Sequence, residues 1–376
     1  MPFSHHSHSG QFCGHATGTL EDMIQTAIVR KMSVFCLTEH MPREDRDLYP
    51  EETALSLNST ELFRIFSAYH AEASRLRTLY EGQITLLIGL EADWFPRPTS
   101  AAFISSLLSL HAFDFYVGSL HHVHSIPIDY DTPLYQAARA AVSGSDASDE
   151  RLFEHYFDEQ YQMLQQMRPP VVGHFDLIRL KSDDPERRFT AFKGVWERVL
   201  RNLELVAGYG GIVEINSSAV RKGMSEPYPK REICEAFRDL GGRFTLSDDS
   251  HAPEQVGLNY HRVLQHLKTC GIETVYYLHR DDDDGSTSTS TSTSAVTSAP
   301  TTTASAATPA PTSTSPSPSP SLSTSPPHPP TTPPHSGDPG TKPLDPRFPH
   351  TRAIPISVSS LAHHAFFTQQ EPGYSI

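Results

Sequence analysis

The sequence has few cysteines and no long apolar run, and each shortage argues against a class of protein. Its 376 residues include four cysteines, with no CxxC pair among them. We therefore expect reduced thiols in an intracellular protein rather than a disulfide framework. No stretch approaches the ~18 apolar residues of a membrane-spanning helix, and a signal peptide has no room if residue 6 already belongs to the fold. We expect a cytoplasmic protein with no membrane partner.

Positive charge is also scarce. The formal net charge is −14, and residues 285–376 carry three basic and three acidic side chains, so the whole imbalance belongs to residues 1–284. Nucleic-acid binding needs Lys and Arg to displace counterions, and we therefore expect no nucleic-acid partner. An anionic ligand would need a strong local positive source, such as metal ions.

A charge-free, low-complexity segment divides the chain. From Gly285 the sequence continues STSTSTSTSAVTSAPTTT, and it carries no charged side chain before Asp338. Such a segment cannot bury enough apolar surface to offset the entropy lost on ordering. We predict three parts: a globular domain over 1–283, a disordered Ser/Thr/Pro-rich insertion over 284–345, and a C-terminal segment over 346–376.

The C-terminal segment regains an apolar pattern. We expect AIPISV (353–358) to pair with IETVYYLH (272–279), before a final helix docks on the domain. A long insertion in one connection costs little stability, because closure entropy grows slowly with loop length. The alternative is that everything beyond residue 284 is a mobile tail.

Short β-type runs alternate with segments of helical periodicity through the first part of the chain. The predicted strands are 3–8, 33–40, 84–93, 113–122, 171–176, 211–216 and 243–251. The predicted helices are 19–32, 60–81, 149–167, 190–208 and 231–241. This alternation predicts an α/β fold with a parallel sheet covered or closed by helices.

Each predicted strand begins apolar and ends with histidine or a carboxylate. At the chain start, His6 and His8 are two residues apart and would share one face of an extended strand. Two imidazoles on one face can share a cation, although such a pair alone is also common at exposed strand positions. Applying the two-residue period to all seven strands gives one inward face, made of His6, His8, Thr38, His40, Gly89, Glu91, Ser119, His121, His174, Asp176, Glu214, Asn216, Ser247, Asp249 and His251. In α/β barrels the carboxyl ends of the strands build the active site.

The ordered motifs TEH (38–40), GLE (89–91), GSLHH (118–122), GHFD (173–176) and SDDSH (247–251), after HSHSG (6–10), carry a specific resemblance. Over roughly residues 2–280 the chain resembles the PHP (polymerase and histidinol phosphatase) family, most closely its monofunctional histidinol-phosphatase branch. The resemblance implies a distorted (β/α)7 barrel with a three-metal site at the carboxyl ends of the strands.

The resemblance also implies a set of metal ligands. One ion would be held by His6, His8, Glu91 and Asp249; a second would share Glu91 and add His121 and His174; the third would take His15, His40 and His251. All except His15 fall on the inward face. His122 and His124 are rivals to His121, and Glu39 is expected to orient ligands. Zinc, manganese and iron all suit this donor set.

The implied reaction is hydrolysis of L-histidinol phosphate to L-histidinol and phosphate in histidine biosynthesis, by attack of a metal-bridging hydroxide on phosphorus. Glu91 and Asp249 would be essential to it, and Asp176 and a metal-bound water are both candidates for the general acid. Arg179 and Arg221 follow strands five and six, and arginine forks match phosphate oxygens; the alternative for each is a solvated surface arginine. Asn216, Glu39 and Asp93 are candidate partners of the substrate's ammonium and imidazole groups.

Three other functions compete with this one. A PHP phosphoesterase could act on another phosphomonoester or on a nucleotide. A metal-dependent amidohydrolase also begins with His-x-His, but it would normally show an eighth strand and often a bridging lysine. A non-catalytic PHP scaffold is the third, and the presence of all nine expected ligands argues against it.

Overall fold

The computed structural model describes residues 2–143, 148–281 and 342–368. The predicted disordered insertion, 284–345, therefore lies outside the described residues except for its last four positions. All described elements belong to one unit, built from residues 1–284 and 338–376.

The strands are short, and each of the seven predicted strand regions contains at least one of them. They are β1 (Phe3–Ser4), β2 (Val34–Leu37), β3 (Thr85–Ile88), β4 (Glu91–Asp93), β5 (Val117–Ser119), β6 (His122–Val123), β7 (Ile126–Pro127), β8 (Val171–Val172), β9 (Ile212–Asn216), β10 (Arg243–Ser247), β11 (Thr274–Arg280) and β12 (Thr351–Ser357).

Two parallel sheets carry most of these strands. One has the order β1-β2-β3 and the other the order β10-β9-β8-β5-β4. Backbone contacts link the two sheets: His40 forms a parallel bridge with Glu91, and the His5 amide donates to the Leu246 carbonyl at 3.1 Å. The carboxyl ends of these parallel strands therefore lie on one side. The predicted α/β fold with parallel strands is confirmed.

The helices include the five predicted ones. They are α1 (Leu20–Val29), α2 (Pro50–Ala54), α3 (Ser59–Leu79), α4 (Ser100–Leu110), α5 (Thr132–Ser143), α6 (Asp149–Met167), α7 (Lys193–Tyr209), α8 (Ser218–Arg221), α9 (Arg231–Asp239), α10 (Tyr260–Thr269), α11 (Val358–Ala362) and α12 (Ala365–Thr368). Helix α1 begins with a capping box formed by Thr19 and Asp22: the Asp22 amide donates to Thr19 Oγ1 at 3.0 Å, and the Thr19 amide to Asp22 Oδ2 at 2.8 Å. Helices α2, α4, α5, α8 and α10 were not predicted.

The third predicted strand, 84–93, is not continuous. It breaks at Gly89 and Leu90, so that β3 pairs with β2 while β4 pairs with β5. The backbone passes close to Phe115 at this break: a Cβ at Gly89 would lie 2.9 Å from the Phe115 ring. A glycine is required there because no side chain fits between the backbone and the ring. The break lets β4, which begins with Glu91, join the second sheet.

The C-terminal segment packs against the rest of the unit. Strand β12 runs antiparallel to β11, with Ile356 opposite Val275 and Ala353 opposite Leu278. The side chains of Phe348, Ala353, Val358, Leu361 and Phe367 are buried. The described part of this segment is therefore an integral element of the core, with the pairing expected from AIPISV and IETVYYLH.

Among the helices that the structure describes, none combines the length and the apolar character needed to cross a bilayer.

Candidate metal centre

Glu91, the first residue of β4, lies at the centre of five imidazoles and is almost fully buried. Its Oε1 is 3.3 Å from His6 Nε2, 3.4 Å from His121 Nε2 and 3.0 Å from His174 Nε2. Its Oε2 is 3.3 Å from His8 Nε2 and 2.9 Å from His40 Nδ1. The structure thus brings together residues that follow the carboxyl ends of β1, β2, β3, β5 and β8.

Asp249 approaches the same cluster from the end of β10. Its Oδ1 lies 3.8 Å from His6 Nε2, 3.6 Å from His8 Nε2 and 3.6 Å from His251 Nδ1. Asp249 has a positive φ of 47°, which is uncommon for a residue other than glycine. This turn separates it from Asp248, whose carboxylate faces away and accepts from the Gly257 and Ser250 amides.

Four groups of side chains around Glu91 have metal-binding geometry, with one donor atom per residue and all donor atoms within 4.8 Å of each other; one of them, His8, His40 and Glu91, shares its members with the other three. The first is His6, His8 and Asp249; the second is Glu91, His121 and His174; the third is Cys13, His15, His40 and His251. The predicted ligands therefore converge, and Cys13 joins the third group. Sequence reasoning missed Cys13, because a loop cysteine carries no periodicity signal.

A second set of carboxylates holds the imidazoles in place. Glu214 Oε2 lies 3.1 Å from His6 Nδ1, and its Oε1 accepts from the His174 amide at 2.6 Å. Asp93 contacts His121 Nδ1, and Glu39 lies 3.7 Å from His8 Nδ1. Such partners fix the tautomer and the orientation of a metal-binding histidine. Glu214 was placed on the inward face from the sequence, but its orienting role was not predicted.

The donor atoms of this cluster fit a cation. His6 Nε2, His8 Nε2 and both ring nitrogens of His40 are buried without a hydrogen-bond partner among the described residues. His6 Nε2, His8 Nε2 and His40 Nδ1 lie 2.9–3.3 Å from the Glu91 oxygens. The Nε2 atoms of His121 and His174 lie 3.1 Å apart. Buried polar nitrogens are normally paired, so this geometry is that of lone pairs directed at shared ions.

The carboxylates and imidazoles of the cluster shift each other's pKa values. Burial alone would lower the pKa of His121, but Asp93 and Glu91 outweigh it and raise that pKa to about 10. Burial likewise opposes protonation of His8, yet Glu39 and Glu91 raise its pKa to about 9. Burial and the neighbouring His8 lower the pKa of His40 to about 3. The two raised pKa values belong to imidazoles that face Glu91, and a cation bound there would displace their protons.

A cavity of about 480 Å³ opens onto the cluster. Besides His15, His40, Glu91, His121, His174, Asp249 and His251, it is lined by Thr17, Tyr49, Asp129, Tyr130, Leu177, Arg221, Lys222, Ala252, Glu254 and Gln255. The predicted phosphate contact Arg221 is therefore on the cavity wall, where its Nη2 donates to the Asp249 carbonyl at 2.9 Å. Tyr49, Asp129 and Tyr130 were missed by the sequence analysis because they lie outside the predicted strands.

Three predicted site residues lie behind the cavity wall instead of on it. Arg179 is buried and donates to Asp176 Oδ2 at 2.9 Å and to the carbonyls of Glu226 and Pro227. Asp176 also accepts from the Lys230 amide at 3.1 Å. Asn216 Nδ2 donates to Glu214 Oε1 at 2.7 Å. In this arrangement the three side chains position the wall, and direct contact with a substrate stays a prediction for each of them.

Two of the rival histidines are placed away from the shared centre. His122 is buried between Tyr49 and Phe95. The His124 ring contacts His155 at 3.0 Å on the surface. His121 is the member of this run that reaches Glu91. His5, which precedes His6, points the opposite way, and its Nε2 accepts from the Leu278 amide at 2.9 Å.

A parallel α/β fold that gathers histidines and carboxylates at its strand ends defines a candidate metal-dependent hydrolase. The sequence model of the PHP domain matches residues 4–218. The chain belongs to the PHP family.

Curated relatives extend the match beyond that domain. A protein of Schizosaccharomyces pombe named probable histidinol-phosphatase is 46% identical over 285 residues, covering 75% of this chain and 91% of the relative. The histidinol-phosphatase of Saccharomyces cerevisiae is 33% identical over 308 residues, covering 73% of this chain and 91% of the relative.

A solved structure shares the fold. It is the histidinol phosphate phosphatase of Lactococcus lactis subsp. lactis in complex with zinc, L-histidinol and phosphate. The two proteins superpose with a TM-score of 0.55 at 20% identity, over 73% of this chain and 95% of the other.

Proposed function

We propose that the protein is a histidinol-phosphatase, which hydrolyses L-histidinol phosphate to L-histidinol and phosphate in histidine biosynthesis. The observation that carries the proposal is the convergence of five imidazoles on Glu91 at the floor of the cavity. Family membership and two curated relatives of that activity support it.

The strand contacts support a closed barrel. Parallel pairing runs through β1, β2 and β3 and separately from β4 to β10, and the bridges at His40–Glu91 and Ser7–Ser250 link the two sheets at both edges. We interpret this as a distorted (β/α)7 barrel with its metal site at the carboxyl ends of the strands. Within the chain it would span 1–283, with 284–345 as an insertion and 346–376 returning to the domain.

Three divalent ions, of zinc, manganese or iron, are the cofactors that this donor set favours. His6, His8, Glu91 and Asp249 would hold the first, Glu91 with His121 and His174 the second, and His15, His40 and His251 the third, with the Cys13 thiol as an additional donor. When bound, such ions supply positive charge to the phosphoryl group and activate water for hydrolysis.

The side chains of the cavity fit a phosphate monoester. Glu91 and Asp249 contribute two negative charges and neutral imidazoles contribute none, so divalent ions would leave the cavity cationic in an otherwise acidic protein. Arg221 and Lys222 on the wall add positive charge for phosphate oxygens. Asp129 and Glu254, which also line the cavity, offer carboxylates for the ammonium or imidazole of the substrate. Asp176 stays a candidate for the general acid that protonates the leaving group.

The cysteines support a proposal for the cellular setting. All four cysteines are free and buried, which suits a reducing compartment. We propose a cytoplasmic enzyme whose partner is a small phosphomonoester, without a nucleic-acid or membrane partner.

The test is phosphate release by the purified full-length protein after metal loading. We expect turnover of L-histidinol phosphate to exceed that of a nucleoside monophosphate, to disappear with a chelator, and to return when zinc or manganese is added back. Equal rates on both compounds would favour the broader phosphoesterase. No release from either compound by the metal-loaded protein would overturn the proposal.

A further inference from the structure

A second cluster of metal-binding side chains lies between helices α9 and α10, apart from the Glu91 centre. It consists of Cys234 on α9, His266 on α10, and Cys270 at the end of α10. Both cysteines have no exposed surface, and His266 is 8% exposed. His266 and Cys270 are four residues apart, which places them on the same face of one helix. None of the three lines the cavity described above.

The spacing of the donor atoms matches tetrahedral zinc coordination. His266 Nε2 lies 3.5 Å from Cys234 Sγ and 3.5 Å from Cys270 Sγ. Zinc bonds of ~2.3 Å to sulfur and ~2.1 Å to nitrogen, at a tetrahedral angle, separate these atoms by about 3.6 Å. All three donor atoms also lie within 4.8 Å of each other. A single imidazole N–H cannot donate well to two sulfurs at once, whereas one cation can bind all three atoms.

We propose that Cys234, His266 and Cys270 bind one zinc ion, which joins α9 to α10 and leaves the fourth coordination position to a solvent ligand. Zinc binding would deprotonate the thiols, so Cys234 would give up the contact in which its Sγ donates to the Pro229 carbonyl at 3.3 Å. Soft thiolates with an imidazole select zinc over manganese, magnesium or calcium.

The position of the cluster gives the ion a structural consequence. Tyr228 and Pro229 lie just before Lys230, the N-cap of α9, and Tyr228 exchanges two backbone hydrogen bonds with Asn216, at 2.7 and 3.1 Å. The Arg179 guanidinium stacks on the Tyr228 ring, 5.0 Å from its centroid. A zinc ion at Cys234 would therefore hold the helix that follows this segment, which lies behind the cavity wall. The inference does not depend on the phosphatase activity, and it can hold or fail separately.

The first experiment measures the zinc content of the full-length protein after dialysis against a weak chelator. We expect the Cys234→Ala/Cys270→Ala double variant, and separately His266→Gln, to contain one equivalent less zinc than the wild type. Cys36→Ala is the matched control, because Cys36 is an equally buried thiol in β2, outside the cluster. It should keep the wild-type content. An unchanged zinc content in the double variant would overturn the proposal, as would a wild-type protein in which Cys234 and Cys270 form a disulfide instead.

A second measurement decides the matter if the double variant does not fold. Cobalt can replace zinc, and thiolate coordination then gives a sulfur-to-cobalt charge-transfer absorption band. Cys13 could contribute to that band, so the measurement uses the Cys13→Ala protein, in which the α9–α10 cluster is intact. We expect the band to persist in Cys13→Ala and to be lost when His266→Gln weakens the cluster. Its absence from cobalt-loaded Cys13→Ala would contradict the proposed site.

Discussion

Replacing Glu91 with glutamine is the sharpest perturbation of the proposed centre. The change keeps the shape of the side chain and removes its charge, and it turns one carboxylate oxygen into an NH2 group. Five imidazole nitrogens lie within 2.9–3.4 Å of the two oxygens, so the NH2 group must face nitrogens whose lone pairs would bind metal. A unit charge ~4 Å from another contributes about 4 kcal/mol at an effective dielectric constant of ~20.

That energy corresponds to a factor of about 10³, because 1.36 kcal/mol changes an equilibrium or rate constant tenfold. We therefore expect Glu91→Gln to lower kcat/KM for L-histidinol phosphate by at least about 10³-fold and to reduce the number of bound metal ions. Phosphate release and metal content measured on the same preparations check this. Glu61→Gln, the same change on the exposed surface of α3, is the control. A Glu91→Gln protein with near-normal turnover and full metal content would refute the shared-ligand assignment.

Three further predictions follow from other parts of the structure. Arg221→Ala should lower kcat/KM about 10–100-fold, since charge-assisted hydrogen bonds contribute about 1.5–3 kcal/mol; Arg64→Ala, an exposed arginine of α3, should leave the rate unchanged. Burial raises the pKa of the Glu159 carboxyl from 4.5 to about 7. Between these two pH values the folded state keeps a proton that the unfolded chain has lost, so the free energy of unfolding falls as pH rises. Relative to Glu159→Gln, the wild type should lose about 2–3 kcal/mol of unfolding free energy between pH 5 and pH 8. Urea titrations of both proteins at the two pH values measure this loss. An equal change in the two proteins would mean that the carboxyl is already ionised at pH 5. Deleting 286–341 should preserve solubility and activity, whereas truncation after residue 281 should abolish soluble expression. The truncation removes the buried Phe348, Val358 and Leu361, each contributing about 1.5–3 kcal/mol. A soluble, active truncated protein would refute the core role of β12.

The strand-end residues could be predicted because the two-residue period of a strand and the topology of parallel strands point to the same side chains. Residues i and i+2 share a face of a strand, and parallel strands end at the same side of an α/β domain. His6 and His8 therefore point with His40, Glu91 and Asp249 in the structure, as their parity indicated. His5 and Asp248, with the opposite parity, face away. The order of the motifs along the chain then allowed the family to be predicted.

Residues in loops could not be placed in this way, because no periodicity fixes the direction of their side chains. Arg179 and Asp176 follow β8 at the expected end of the domain, yet their side chains pair with each other behind the cavity wall. Cys13 and Tyr49 reach the centre or the cavity from segments without a strand pattern.

Some elements of the fold were also outside the reach of the sequence pattern. Helix α4 has serines scattered through SAAFISSLLSL, which blurs its amphipathic period. At the strand break, the backbone of Gly89 lies close to the ring of Phe115, a residue distant in sequence. Tertiary contacts of this kind override local propensity.

The central claim is that the side chains around Glu91 bind the ions of a hydrolase. The most direct measurement is an anomalous-scattering map from crystals of zinc- or manganese-loaded protein. We predict peaks about 2.0–2.3 Å from the Glu91 oxygens, one shared with His6, His8 and Asp249 and one shared with His121 and His174. A map from metal-loaded protein with no peak within bonding distance of Glu91 would contradict the account.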